Sequence, residues 1–230
     1  MKRLGLAFLS LCLALPAIFH PADVPPAWAP WYPLDLRAAP NFTTALQVLR
    51  TDAEPALCHA ALEAGGARAP QVAGLEASDV CHIRNAVLPE RLGRTWVAPT
   101  RMRCNIALRL ALWEHHDLQK AARAHLGTGV REILHLGAYS CRRLRSSSGL
   151  SQRMSQHATA NAFDISGFLL TDGRMVTLRR DWQGSGPKAA FLRAARDGLC
   201  RWFRLVLSPD YNALHADHFH VDQGPFPSCR

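Results

Sequence analysis

Two short stretches near the C-terminal end hold the side chains able to do chemistry. They are Ser155-Gln156-His157-Ala158-Thr159-Ala160-Asn161-Ala162-Phe163-Asp164 and His215-Ala216-Asp217-His218-Phe219-His220. Together they offer imidazoles and a carboxylate: His157, Asp164 and one or both of His218 and His220. Two imidazoles plus one carboxylate, with a fourth position left to water, is the donor set of a catalytic zinc site. Such an ion lowers the pKa of bound water towards 7, and hydrolysis then needs a base nearby. Asp217, three residues before His220, is the candidate base. His218 and Arg142 are candidates for stabilising a developing oxyanion. A single histidine on a strand is usually a solvated or hydrogen-bonded side chain; three at 215, 218 and 220 fit that reading less well.

Elements of α+β type must position these groups. Residues two apart on a strand share a face, so His218 and His220 point one way and Phe219 packs behind. Phe163 to Leu170 reads as a strand, Thr171-Asp172-Gly173-Arg174 as a turn and Met175 to Leu178 as the return strand. Further strands are expected at Val130 to Ser140, Leu205 to Leu207 and His218 to Val221, with residues 146–149 as loop. Helices are expected from Thr43 or Thr44 to about Leu62, broken or split at Pro55, and from Cys104 to Leu126, where Gly127 stops it. A third opens at Pro187 and runs from Lys188 to about Phe203. Residues 64–100 read as loops and short strands. His115 and His116, adjacent on a helix, diverge by about 100° and do not share one metal easily. The predicted domain has N-terminal helices packed on a small, mostly antiparallel sheet that carries the site.

The N-terminus predicts export. Lys2 and Arg3 precede an apolar run from Leu4 to Phe19, the layout of a secretory signal; a retained anchor is the alternative for residues 1–20. Seven prolines between Pro16 and Pro40 make 21–42 a predicted extended linker, with the domain spanning 43–230. Cys12 lies in the apolar run. The other six, Cys58, Cys81, Cys104, Cys141, Cys200 and Cys229, form an even set that predicts three disulfides in an oxidising compartment, with the pairing open. The 230-residue chain carries 27 basic and 18 acidic residues, a formal charge of +9. Its basic residues are scattered, with only Arg142 to Arg145 clustered. A basic balance of this size suits nucleic acid, an anionic membrane surface or an anionic wall polymer; with the residues scattered, nucleic acid is not an expected partner and the charge does not choose between the other two.

Ser155-x-His157-x6-Asp164 followed by Asp217-His218-x-His220 resembles the site of the LAS zinc peptidases: lysostaphin-type enzymes, D-alanyl-D-alanine carboxypeptidases and the hedgehog signalling domain. The resemblance implies a hedgehog-like fold, His157, Asp164 and His220 as zinc ligands, a catalytic acid at Asp217 and a second histidine at His218. A Gly-Tyr-Arg-like segment, here Gly137 to Arg142, nominates Arg142. The peptidases usually carry Gly where this chain has Ala160.

Tyr139 to Arg142, Ser155 to Ala158, Ala162 to Phe168 and His215 to Asp222 together resemble the bacterial extensin-like C-terminal domain proteins, over roughly residues 31–230. These resemblances imply a Zn2+-dependent peptidase or amidase acting on peptidoglycan or another cell-wall polymer, in the periplasm or on the periplasmic face of the inner membrane, with a possible membrane tether through the N-terminus. The alternatives are a metal-containing wall-binding module without catalysis and, more distantly, a disulfide-rich structural protein without metal.

Overall fold

The computed structural model describes residues 24–146 and 149–230; the expected signal or anchor over 1–20 and Cys12 lie outside them. The described chain is a mixed α+β domain. Its main sheet has eight strands: β1 (Arg91–Leu92), β2 (Thr95–Val97), β3 (Val130–Gly137), β4 (Ala162–Leu170), β5 (Met175–Thr177), β6 (Leu205–Leu207), β7 (Phe219–Asp222) and β8 (Ser228–Cys229). Their order is β8-β6-β7-β4-β3-β2-β1, with β5 also paired to β4. The β2–β3 and β6–β8 pairs are parallel and the rest antiparallel, as expected of a sheet built mainly from hairpins and short returns.

β4 is the spine of this sheet. One edge pairs with β3 along most of its length. The other edge is divided between β7, opposite Ala162 to Ile165, and β5, opposite Gly167 to Leu169. Gly167 sits at the change of partner, where a Cβ would stand 2.5 Å from the carbonyl oxygen of Val176. No real side chain tolerates that approach, so glycine is required there.

Helices cover one face: α1 (Thr44–Ala53), α2 (Pro55–Ala64), α3 (Cys104–Trp113), α4 (Gln119–Leu126), the short α5 (Leu178–Asp181) and α6 (Pro187–Trp202). Pro55 splits the first predicted helix in two, because the ring fits the first turn and not the interior. A π-turn at Glu114–Leu118 joins α3 to α4, and Gly127 stops α4 at φ 69° in the left-handed region. Trp113 is buried and donates Nε1–H to the Ala195 carbonyl at 3.0 Å. It also meets Phe168 of β4 at 6.1 Å, and Phe168 meets Phe191 of α6 edge-on at 5.1 Å. These contacts fix α3 and α6 to the sheet. The covering helices are therefore not all N-terminal, as expected from sequence: α6 lies in the C-terminal half.

Three disulfides pair all six expected cysteines: Cys58–Cys104, Cys81–Cys141 and Cys200–Cys229. The first ties α2 to the start of α3. The last ties α6 to β8. The proline-rich stretch, described from Val24, lies against the domain from Ala29 onward. Leu34 and Leu36 are buried, Arg50 donates to the Pro30 carbonyl at 2.8 Å and His116 bonds the Leu36 carbonyl at 2.9 Å. A two-stranded ribbon, Arg143–Ser146 with Gly149–Met154, flanks the stretch expected as loop, 146–149, of which 147–148 lie outside the described residues. Among the described residues, no helix is long and apolar enough to cross a membrane.

Candidate metal centre

His157 stands on a 3-10 turn, Gln156–Thr159, whose first N–H groups need a cap. Ser155 provides it: its Oγ accepts from the His157 N–H at 3.3 Å. The turn ends at Ala160, which is fully buried and left-handed at φ 48°. This conformation costs an L-residue about 1 kcal/mol and costs glycine nothing. The chain makes this left-handed turn with alanine.

Asp164 lies on β4 and His220 on β7, directly opposite each other in the antiparallel register. Directly opposed residues share a face at close range. His157 joins them from the turn. His157 Nε2 is 3.2 Å from Asp164 Oδ1 and 3.1 Å from His220 Nδ1, and His220 Nδ1 is 2.9 Å from Asp164 Oδ1. The three atoms form a nearly equilateral triangle. Donor atoms about 2.0–2.1 Å from a tetrahedral ion stand about 3.3 Å apart, so the triangle has the size of three corners of such a shell.

The outer ring nitrogens make the donor set chemically suitable. His157 Nδ1 faces the Ala138 carbonyl at 3.0 Å and His220 Nε2 faces Asp222 Oδ2 at 2.9 Å. Both partners are acceptors, so both outer nitrogens carry protons. Neutral rings then present lone pairs at His157 Nε2 and His220 Nδ1, facing Asp164 Oδ1. Three converging acceptors need a cation or an added proton. In the metal-free chain a proton serves: burial alone would lower the pKa of His220, but hydrogen bonds to Asp164 and Asp222 and their charges push it up to about 9. Burial likewise opposes ionisation of Asp164, yet the two histidines hold its carboxyl well below the usual carboxylate range.

The remaining predicted residues surround this triangle. Phe219 is buried and meets Trp182 edge-on at 5.4 Å, so it packs behind as the alternation predicts. His218 lies just before β7, with Nε2 3.8 Å from Asp164 Oδ1. Its Nδ1 donates to Asp217 Oδ1 at 2.9 Å. The Asp217 side chain is about half exposed (51%) and its recorded contact is with His218. Arg142 is half-buried, and among the described residues its guanidinium makes no hydrogen bond or ion pair. Its charge reaches His215, whose pKa is pushed down to about 4 by burial first, then by His220, His218 and Arg142. His115 and His116 stay outside the centre; His116 stacks on Trp202 at 5.8 Å.

Two supporting residues were not singled out from sequence: Asp222, and Asn212, whose Oδ1 accepts from His215 Nδ1 at 2.8 Å. The period-two alternation carries the signal for the first, since Asp222 follows His220 on the same strand face.

A profile of the extensin-like protein C-terminus matches residues 56–230. No curated protein and no solved structure matches the chain significantly. The matched region covers His157, Asp164, His220 and all three disulfides, and the chain belongs to the extensin-like C-terminal family.

Proposed function

We propose that the chain is a zinc-dependent hydrolase of amide bonds, a peptidase or amidase acting on peptidoglycan peptides in the bacterial cell envelope. The observation that carries this is the triangle of His157 Nε2, Asp164 Oδ1 and His220 Nδ1, each imidazole fixed from behind by an acceptor. The likeness of its residues to the LAS peptidases supports the reaction class. Imidazole and carboxylate donors suit zinc, and also manganese, cobalt or iron.

When bound, the ion supplies Lewis acidity and a water of lowered pKa. The chain's own groups handle the protons. Asp217 accepts a hydrogen bond from the His218 Nδ1–H and so leaves Nε2 as the basic atom, turned towards the centre. His218 Nε2 takes a proton from the attacking water and returns it to the leaving amine. Asp217 holds the ring and stabilises its charged form, an orienting role rather than the direct base expected from sequence. Arg142, without an acidic partner among the described residues, offers its charge to the developing oxyanion.

The three disulfides support a working compartment outside the reducing cytosol, and the periplasm is the proposed one. The test is metal content by mass spectrometry on purified oxidised protein, beside the His157→Ala, His220→Ala double variant, followed by assay on wall peptides. About one zinc per chain, absent from the variant, together with cleavage by the parent alone, supports the proposal. Zinc without cleavage of any wall peptide leaves the wall-binding module in its place.

A further inference from the structure

The ribbon Arg143–Ser146/Gly149–Met154 is rooted at the metal centre. Its base is closed by the Ser155 N–H donating to the Arg142 carbonyl at 3.0 Å, and His157 follows two residues later. Between Glu132 and Asp164 the sequence contains no acidic residue and carries Arg142, Arg143, Arg145 and Arg153. Arg143, Arg145 and Arg153 are exposed. Arg143 bonds the neutral side chain of Gln152, and Arg153 lies over the ring of Phe226 at 4.3 Å.

Some exposed arginines elsewhere are offset by carboxylates, Arg68 by Glu90, Arg84 by Glu76, Arg174 by Asp172 and Arg180 by Asp181, while Arg101, Arg123, Arg131 and Arg179 are exposed without one among the described residues. Among the described residues, no carboxylate pairs with an arginine of the ribbon. Arg143, Arg145 and Arg153 put like charges on one small ribbon, and like charges repel. A ligand that neutralises them removes that repulsion. Guanidinium forks match carboxylates bidentately, and Phe226, exposed beside Arg153, adds an apolar shelf.

We propose that this ribbon docks an acidic peptide segment of the substrate and holds it beside the His157–Asp164–His220 centre. The word substrate rests on the hydrolase reading above; the docking surface does not. Nucleic-acid strands are recognised by stacked aromatics along a basic groove, and the ribbon itself carries none.

The experiment uses metal-free full-length protein with its disulfides intact and fluorescein-labelled oligoglutamate as probe, read by fluorescence anisotropy at low salt. The triple variant Arg143→Ser, Arg145→Ser, Arg153→Ser is expected to bind roughly tenfold more weakly, and the parent to weaken as salt is added. A control triple, Arg123→Ser, Arg131→Ser, Arg179→Ser, changes net charge equally at exposed sites away from the ribbon; it should stay within about twofold of the parent. Unchanged thermal midpoints confirm that both variants fold. Equal weakening in both triples overturns the proposal, as does a parent that binds polyphosphate in preference to oligoglutamate or binds neither. Because binding is read without metal, loss of the hydrolase reading leaves this test intact. A chain that cleaves peptides but shows no ribbon effect loses this proposal alone.

Discussion

His220 Nε2 and Asp222 Oδ2 stand 2.9 Å apart on one strand, and this pair decides which nitrogen of His220 is available to a metal. The carboxylate holds the proton on Nε2 and frees Nδ1. Asp222 Oδ1 is already occupied by the Gly224 N–H at 2.7 Å. In Asp222→Asn the remaining acceptor keeps that bond and turns the amide NH2 towards His220. The ring must then accept at Nε2 and carry its proton on Nδ1, facing Asp164. The variant should bind zinc about 10–100-fold more weakly in a chelator competition, the range for lost supporting partners, with its circular dichroism unchanged.

Protons and metal compete for the same atom, which gives the metal-free protein a characteristic pH response. The pKa of His220 rises from an ordinary 6.5 to about 9 on folding. The folded state therefore holds the extra proton between those values, and stability is lost as pH rises through about 9. His215 behaves oppositely. Burial and neighbouring positive charge push it down to about 4, so stability is lost as pH falls from 6.5 towards 4. Burial lowers His59, His116 and His135 in the same sense. Denaturant midpoints of chelator-treated protein should peak near pH 6.5. Zinc should abolish the alkaline loss, and its apparent affinity should climb up to about tenfold per pH unit until His220 is deprotonated.

Much of this centre was legible from residue types and alternation. Asp164, Phe219 and His220 lie where a period-two reading of their strands places them, because Asp164 stands opposite His220 in the β4–β7 register and Phe219 alternates with His220 along β7. The cysteine count announced three bridges, though not their pairing, which depends on how α2, the Arg143–Met154 ribbon and α6 return to the sheet. That ribbon was itself missed: Arg143-Leu144-Arg145-Ser146 has no apolar alternation to mark a strand, and its pairing comes from closure at Arg142 and Ser155. The contact of Asp217 with His218 was equally beyond reach. Its position three residues before His220 suits a base beside the metal, but the turn Ala213–His215 and the residues after it set its carboxylate against His218.

The three bridges should contribute unequally to the centre. Cys81–Cys141 closes a separation of 60 residues, which in the chain-entropy account corresponds to about 4 kcal/mol of stability. Cys141 also borders Ser140, whose N–H donates to the His157 carbonyl at 3.0 Å. Cys200–Cys229 spans 29 residues at the far edge of the sheet. Replacing either pair with serines should destabilise the fold by a few kcal/mol. Only the Cys81→Ser, Cys141→Ser variant should also weaken zinc binding at temperatures where both variants remain folded. Isothermal titration of the two variants checks this, and equal affinities would separate the first bridge from the metal site.

The order of effects at Asp217 and His218 tests which group moves the proton. If His218 Nε2 is the base, His218→Ala should lower kcat by about 10²–10⁴-fold, the usual range for a general base, with zinc content unchanged. Asp217→Asn should cost less, because the imidazole and its basic atom remain. Its signature is a lowered kcat at unchanged zinc content, because the ring keeps its basic atom and loses the carboxylate that orients it. Direct action by Asp217 predicts the reverse: Asp217→Asn would be the more damaging change. Both outcomes can be read from kcat and metal content on one wall-peptide substrate, so the 2.9 Å contact between these side chains is open to a direct functional decision.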